Sequence, residues 1–423
     1  MQNLTVTNDG ITINRNKHFF IISILPVTFL IMAFVFDKPA NIFTGLYEII
    51  LAPDILLTDY LAVGGFGAAL FNVSSIVLIN IFIIYKLNIE INGSIIAAIF
   101  TLSGFAFFGK TIFNIWPMYL GGILYAKYKK ITFDKIAVVI MFSTCLAPVV
   151  SKLAFSSGLP LYRGIMLGVF FGITGGIIIT PLSSNMSKLH GGHNLYNVGF
   201  TGGLMCTLIC SLLKSFGINI EQQLVLSREY STFFWNFLLI YFILLIVIGY
   251  LLNNKSFKGY VKIFGYTGKL LTDYTQLIGP GLTLVNMGIM GLICMSFVYI
   301  NTGVFNGPII GAVLTVVGFS AFGNHPGNSI PIMAGVYLGA ILKVWDIQTT
   351  PVIIAGIFGT TLAPIAGRYG VYAGVLAGFL HLSMVMNVGV VHGGANLYNN
   401  GFAGGLVASI LVPVFECFKR EEE

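Results

Sequence analysis

"HGGHNLYNVGFTGG", His190 to Gly203, sits between long hydrophobic runs and returns near the end of the chain as "HGGANLYNNGFAGG", His392 to Gly405. From His190 to Leu204 the two copies agree at twelve of fifteen positions. Other matches follow in the same order. Phe19-Phe20 corresponds to Phe233-Phe234, and at the same offset "LTDY" (Leu57) recurs at Leu271, Asn72 at Asn286, and "NGSII" (Asn92) as "NGPII" (Asn306). "GFAFFGK" (Gly104) pairs with "GFSAFGN" (Gly318), "YLGGIL" (Tyr119) with "YLGAIL" (Tyr337), and "LAP" (Leu146) with "LAP" (Leu362). Such ordered self-similarity is an internal duplication. Its units are 1–215 and 231–418, joined by a linker at 216–230 and followed by a charged tail at 419–423.

The composition says where such a chain lives. It has 423 residues, of which 56% are hydrophobic and 9% charged, with a mean hydropathy of +0.90. Runs such as "FFIISILPVTFLIMAFVF" (Phe19) and "FFWNFLLIYFILLIVIGYLL" (Phe233) match the ~20 apolar residues needed to cross about 30 Å of hydrocarbon. The first run has a partner in the second half, so it belongs to the fold and is not a cleaved signal peptide. The net charge of +7 reads as loop lysine and arginine of a membrane protein, not as a nucleic-acid surface.

Loop charges orient the halves. Arg15 and Lys17 place the N-terminus in the cytoplasm, whereas Asp37, Glu48, Asp54 and Asp59 follow the first span. The matching stretch of the second half carries Lys255, Lys258, Lys262 and Lys269. "KYKKITFDK" (Lys127) is likewise basic where "VWDIQTT" (Val344) has no cation. Corresponding loops thus face opposite sides, which predicts an all-α polytopic membrane protein of two inverted-topology repeats. Each repeat has about five transmembrane helices plus a re-entrant element, in the Gly-interrupted regions 93–126 and 307–342. Both termini would lie on the cytoplasmic side of a bacterial cytoplasmic membrane.

Broken helices and midplane sites are common in inverted-repeat transporters. In the two HGG segments the glycines free the backbone to bend, and asparagine and tyrosine supply donors and acceptors that hydrocarbon would not tolerate unpaired. His190, Asn194, Tyr196, Asn197 and Phe200, with His392, Asn396, Tyr398, Asn399 and Phe402, are therefore the candidate lining of a solute pathway, with Asn72 and Asn286 as further candidates. Close packing of capped helices is the alternative reading. No metal is expected, since Ala395 replaces His193 in the second copy and no acidic or thiol ligand completes a shell. No cofactor motif or catalytic constellation is present. Lys152 and Arg368 recur after "LAP", and Asp59 and Asp273 precede the second span; snorkelling and helix capping account for them. The spans carry no central carboxylate, which favours a channel or facilitator for a small polar, uncharged or anionic solute. The alternatives are a coupled secondary carrier, or an intramembrane enzyme or sensor using His190 and His392.

The doubled "HGGxNLYNxGFxGG", with its "YLGGIL/YLGAIL" and "LAP" pairs, resembles a bacterial family of multipass membrane proteins known only as a domain of unknown function. That resemblance implies location and fold, not activity. A looser resemblance, through "GFGAALFNVSSIVL" (Gly65) and "GPGLTLVNMGIMGL" (Gly279), is to urea transporters, which are built from inverted five-helix halves. Expected partners are the lipid bilayer and a small-molecule solute, with homo-oligomer formation left open and nucleic acid excluded.

Overall fold

The computed structural model describes residues 6–7, 10–11, 15–54, 57–218, 224–342 and 344–418. The charged tail at 419–423 and part of the linker lie outside them. Apart from two-residue strands at Val6–Thr7 and Gly10–Ile11, the regular elements among the described residues are helical. Ten of the helices are long and apolar enough to cross a membrane, five before the linker and five after it.

In chain order the first half holds α1 (Arg15–Phe36), α2 (Gly65–Lys86), the short α3 (Gly93–Phe105) and α4 (Trp116–Lys129), then α5 (Ala137–Ser156), α6 (Leu161–Leu189) and α7 (Asn197–Ser215). The second half holds α8 (Ser231–Leu252), α9 (Pro280–Asn301), the short α10 (Gly307–Phe319) and α11 (Pro326–Leu342), then α12 (Thr350–Tyr369), α13 (Val371–His392) and α14 (Asn399–Phe418). Between α1 and α2 the first half also has a helix at Pro39–Leu51, where the second half has only the 3-10 turn Tyr260–Gly265. α1, α6, α8 and α13 are peripheral and turn Phe20, Ile31, Phe170, Ile240 and Tyr372 outward. Those side chains need an apolar surrounding. α2, α5, α9 and α12 form the interior.

Thirteen residues in α3 and α10 span ~20 Å at about 1.5 Å each, less than the ~30 Å hydrocarbon core. Each is the first arm of a hairpin whose second arm is α4 or α11. Asn92 and Asn306 begin these arms, their side-chain oxygens accepting from Ile95 N (3.0 Å) and Ile309 N (3.1 Å), as good N-caps do. A second cap comes from the opposite half: Asp273 accepts from Gly93 N (3.1 Å) and Asp59 from Gly307 N (3.1 Å). The two sequence-predicted capping aspartates therefore cap their own short helix, through Leu61 N and Thr275 N, and a hairpin belonging to the other half.

α3 and α10 cross where only glycine fits. A Cβ on Gly104 would lie 2.4 Å from Gly311 O, and one on Gly311 would lie 2.5 Å from Gly104 O. The hairpin tips are held by Asn72 and Asn286. Asn72 Nδ2 donates to Ala106 O (2.9 Å) and Lys110 O (2.8 Å); Asn286 Nδ2 donates to Ser320 O (2.7 Å) and Asn324 O (2.9 Å).

α5 and α12 are both interrupted by a 3-10 turn, at Thr144–Leu146 and Gly359–Leu362. Such a break frees carbonyls that need donors. Cys145 O receives Leu397 N (3.1 Å) and Thr361 O receives Leu195 N (2.9 Å). Each HGG segment thus completes the broken helix of the other half.

Candidate functional site

The HGG residues divide into groups with different tasks. His190 Nε2 lies 2.9 Å from Asn197 Oδ1, and Asn197 Nδ2 donates to Ser183 O at 2.9 Å. The second copy repeats this with His392 Nε2 to Asn399 Oδ1 (2.9 Å) and Asn399 Nδ2 to Val385 O (3.2 Å). Since the amide nitrogen is spent on a carbonyl, its oxygen faces the ring, and each histidine must carry its proton on Nε2. In the first copy Nδ1 then accepts from Asn194 N at 3.3 Å. These pairs brace the starts of α7 and α14 against the preceding helices.

Asn194 and Asn396 reach across the molecule, Nδ2 donating to Gly401 O (3.1 Å) and Gly199 O (3.4 Å) respectively. Asn194 Oδ1 also accepts from Thr361 Oγ1 at 2.5 Å. Phe200 and Phe402 stack on each other at 6.4 Å, and each ring fills the place where a side chain on Gly405 or Gly203 would stand. All four residues are buried, and their contacts are those of packing. Asn72 and Asn286 act at the hairpin tips. His193 turns away from His190, its Nδ1 3.3 Å from His190 O and its ring beside Tyr369. Burial, then the charge of Lys269, holds its imidazole below the ordinary value.

Around the crossing of α7 and α14 lies a cavity of about 290 Å³. Of the sequence-predicted residues, Tyr196, Asn197 and Tyr398 line it; His190, Asn194, Phe200, His392, Asn396, Asn399, Phe402, Asn72 and Asn286 do not. The rest of the wall is mostly aromatic and aliphatic, with Phe105, Phe142, Phe319 and Phe358 facing inward and Thr101 and Thr315 in matched positions. Both threonine hydroxyls donate to the carbonyl one turn back, so toward the cavity they can only accept. The lining reaches the surface at Leu271, which is 82% exposed. At the opposite end the matching stretch, Leu57–Tyr60, is buried. It lies under the segment that follows the linker's undescribed part: Asp59 N donates to Val225 O (2.9 Å), Val225 N to Leu57 O (3.1 Å) and Ser227 N to Asp59 Oδ2 (3.0 Å). A larger depression of about 480 Å³ lies at that segment, between Leu226 and Thr350.

Sequence reasoning missed Lys110. It is fully buried at the tip of the first hairpin, with Nζ 2.6 Å from the Tyr398 hydroxyl. Its signal was in the paired "GFAFFGK" and "GFSAFGN", where a cation in an apolar region has asparagine as its counterpart.

The brace predicts its own measurement. Asn197→Ala or Asn399→Ala leaves an imidazole N–H and a carbonyl unpaired inside the protein, a loss of about 2–4 kcal/mol. His190→Gln keeps a donor for Asn197 and should lose less than half as much. Thermal unfolding of the detergent-purified variants reads this order directly.

No curated protein and no solved structure matches the chain. The profile of one family, described as "Protein of unknown function (DUF1576)", matches residues 38–215 and 252–417. The two matched stretches take in most of both halves, the doubled HGG segment included, and the chain belongs to that family.

Proposed function

We propose that this multi-span membrane protein is a carrier that moves a small solute through the cavity at the α7–α14 crossing, its halves lying inverted in the bilayer. The observation that carries this reading is an asymmetry between matched positions: Leu271 lines the cavity and is exposed, whereas Leu57, its counterpart in the first half, is buried and outside the lining. A channel needs both ends open at once. A carrier exposes one end at a time, and two halves built alike but facing opposite ways give it two equivalent states. The loop lysines Lys255, Lys258, Lys262 and Lys269 assign the open mouth to the cytoplasmic side. The wall is more apolar than the sequence suggests, which shifts the solute from a simple polar molecule to one with an apolar body.

The test pairs flux with accessibility. Proteoliposomes should take up at least one solute from a panel of urea, amides, polyols, amines and small carboxylates, and Tyr196→Trp, which fills the cavity, should abolish that uptake. On the same protein Leu271→Cys should react with a membrane-impermeant maleimide faster than Leu57→Cys, and a transported solute should shift the two rates in opposite directions. Fast labelling at both positions that solute does not shift, with flux retained, would convert the carrier into a channel. Folded protein without any flux would return the histidine-based enzyme or sensor to the front.

A further inference from the structure

Lys110 has no role in holding the fold that its counterpart does not fill without charge. At the equivalent tip Asn324 stands in the same backbone setting, its carbonyl held by Asn286 as that of Lys110 is held by Asn72. Asn324 Nδ2 reaches Thr360 Oγ1 at 3.3 Å. The scaffold is therefore satisfied by an amide there, and the lysine answers some other need.

Its surroundings show which. Among the described residues no carboxylate lies within ion-pair distance of Nζ, whose one hydrogen bond is to Tyr398 Oη. The nitrogen stands 4.8 Å from the ring centre of Tyr398 and 5.4 Å from that of Phe105, and both rings line the cavity. An ammonium out of water without a counter-charge is costly. On the symmetry-related side Tyr196 also lines the cavity and is 7% exposed; its hydroxyl makes no hydrogen bond, and neither does Asn324 Oδ1. Behind an otherwise apolar cavity wall thus stand one lysine with no carboxylate partner among the described residues and one buried hydroxyl with no hydrogen bond.

We infer that the solute is a small organic monoanion, with a carboxylate-like head turned toward the Lys110–Tyr398 corner and an apolar body against Phe105, Phe142, Phe319 and Phe358. The inference rests on the carrier reading of the same cavity. A volume of about 290 Å³ is roughly twice the ~150 Å³ that accepts benzene, enough for a ring or branched chain bearing one charged group. Polyols find too few partners on this wall, and an organic cation is repelled by Lys110. At an effective dielectric of about 20, a charge ~7 Å away is favoured on the order of tenfold or more.

The probes are benzoate, benzamide and benzylamine, alike in shape and different in charge. Equilibrium binding to purified protein and uptake into proteoliposomes are measured for wild type, Lys110→Asn and Lys110→Met. Lys110→Asn copies the residue already accepted at the second tip, so it should fold; Lys110→Met removes charge and hydrogen bond together. The expected result is benzoate preferred over benzamide by about tenfold in wild type, benzylamine excluded, and the preference lost in both variants while benzamide binding persists. A benzoate preference that survives Lys110→Asn overturns the inference, as does wild type that binds no carboxylate or favours the amide. Charge-selective binding without uptake would sink the carrier reading and leave the anion site standing. Uptake without charge preference would do the reverse.

Discussion

Gly104→Val is expected to abolish assembly of the protein, with a loss of about 4 kcal/mol or more. The reason is distance. A Cβ at Gly104 stands 2.4 Å from Gly311 O and 3.0 Å from the Gly311 Cα, so it meets main chain that no rotamer change can move. α3 and α10 would have to separate, and with them the two arms that carry Thr101, Phe105, Thr315 and Phe319 into the cavity wall. Gly311→Val should do the same, since its Cβ meets Gly104 O at 2.5 Å. Gly265→Ala, with open space around the position, should stay within about 0.5 kcal/mol of wild type. Size-exclusion profiles and unfolding midpoints in detergent check all three. A monodisperse Gly104→Val protein with an unchanged midpoint would refute the close crossing.

Asp59→Ala should be nearly as damaging. This buried carboxylate accepts from Leu61 N, Ser227 N and Gly307 N at 2.9–3.1 Å, binding together the start of its own half, the segment after the linker and the hairpin of the other half. Burial pushes its carboxyl up to about 6, so it remains mostly ionised at neutral pH, and hydrogen bonds to a charged acceptor are the strong kind. Losing it strands three backbone donors, about 3–6 kcal/mol in all. Asp59→Asn keeps one acceptor oxygen and should fall between. Asp273→Ala should lose less, because that carboxylate is only half-buried and has no linker segment to hold. Unfolding midpoints rank the three variants, and equal midpoints for Asp59→Ala and Asp273→Ala would contradict this account.

The architecture was largely legible in the residues. Hydropathy placed the spans, and the ordered repeat of "LTDY", "LAP" and "HGG" showed which stretches correspond; the helices found there occur five to each half. The site was legible only as a neighbourhood. A buried asparagine must find partners, but the sequence does not say whether these are backbone groups or a solute. Asn194 and Asn396 found the opposite half, Asn197 and Asn399 found histidines, and only the tyrosines and Asn197 turned toward open space. That Leu195 would seek Thr361 was not readable either, because periodicity reports which face of an element is apolar and not which distant break it will mend. Lys110 was visible as a letter, but its isolation from the carboxylates of the described residues is a three-dimensional fact.

The exchange of HGG segments also sets a timetable. Leu195 N has its acceptor on Thr361, which the ribosome reaches only after more than a hundred and sixty further residues. At about 5–20 residues per second that is on the order of ten to thirty seconds. During this interval the first half is already synthesised through α7, yet its broken helix and its glycine bend have no partners, and Lys110 has no tyrosine to meet. The nascent first half must therefore wait at the insertion machinery, or near water, with its most polar stretch unfinished. Maturation becomes a single late event in which both halves close on each other, so a defect in the last thirty residues would be felt as a failure of the whole chain.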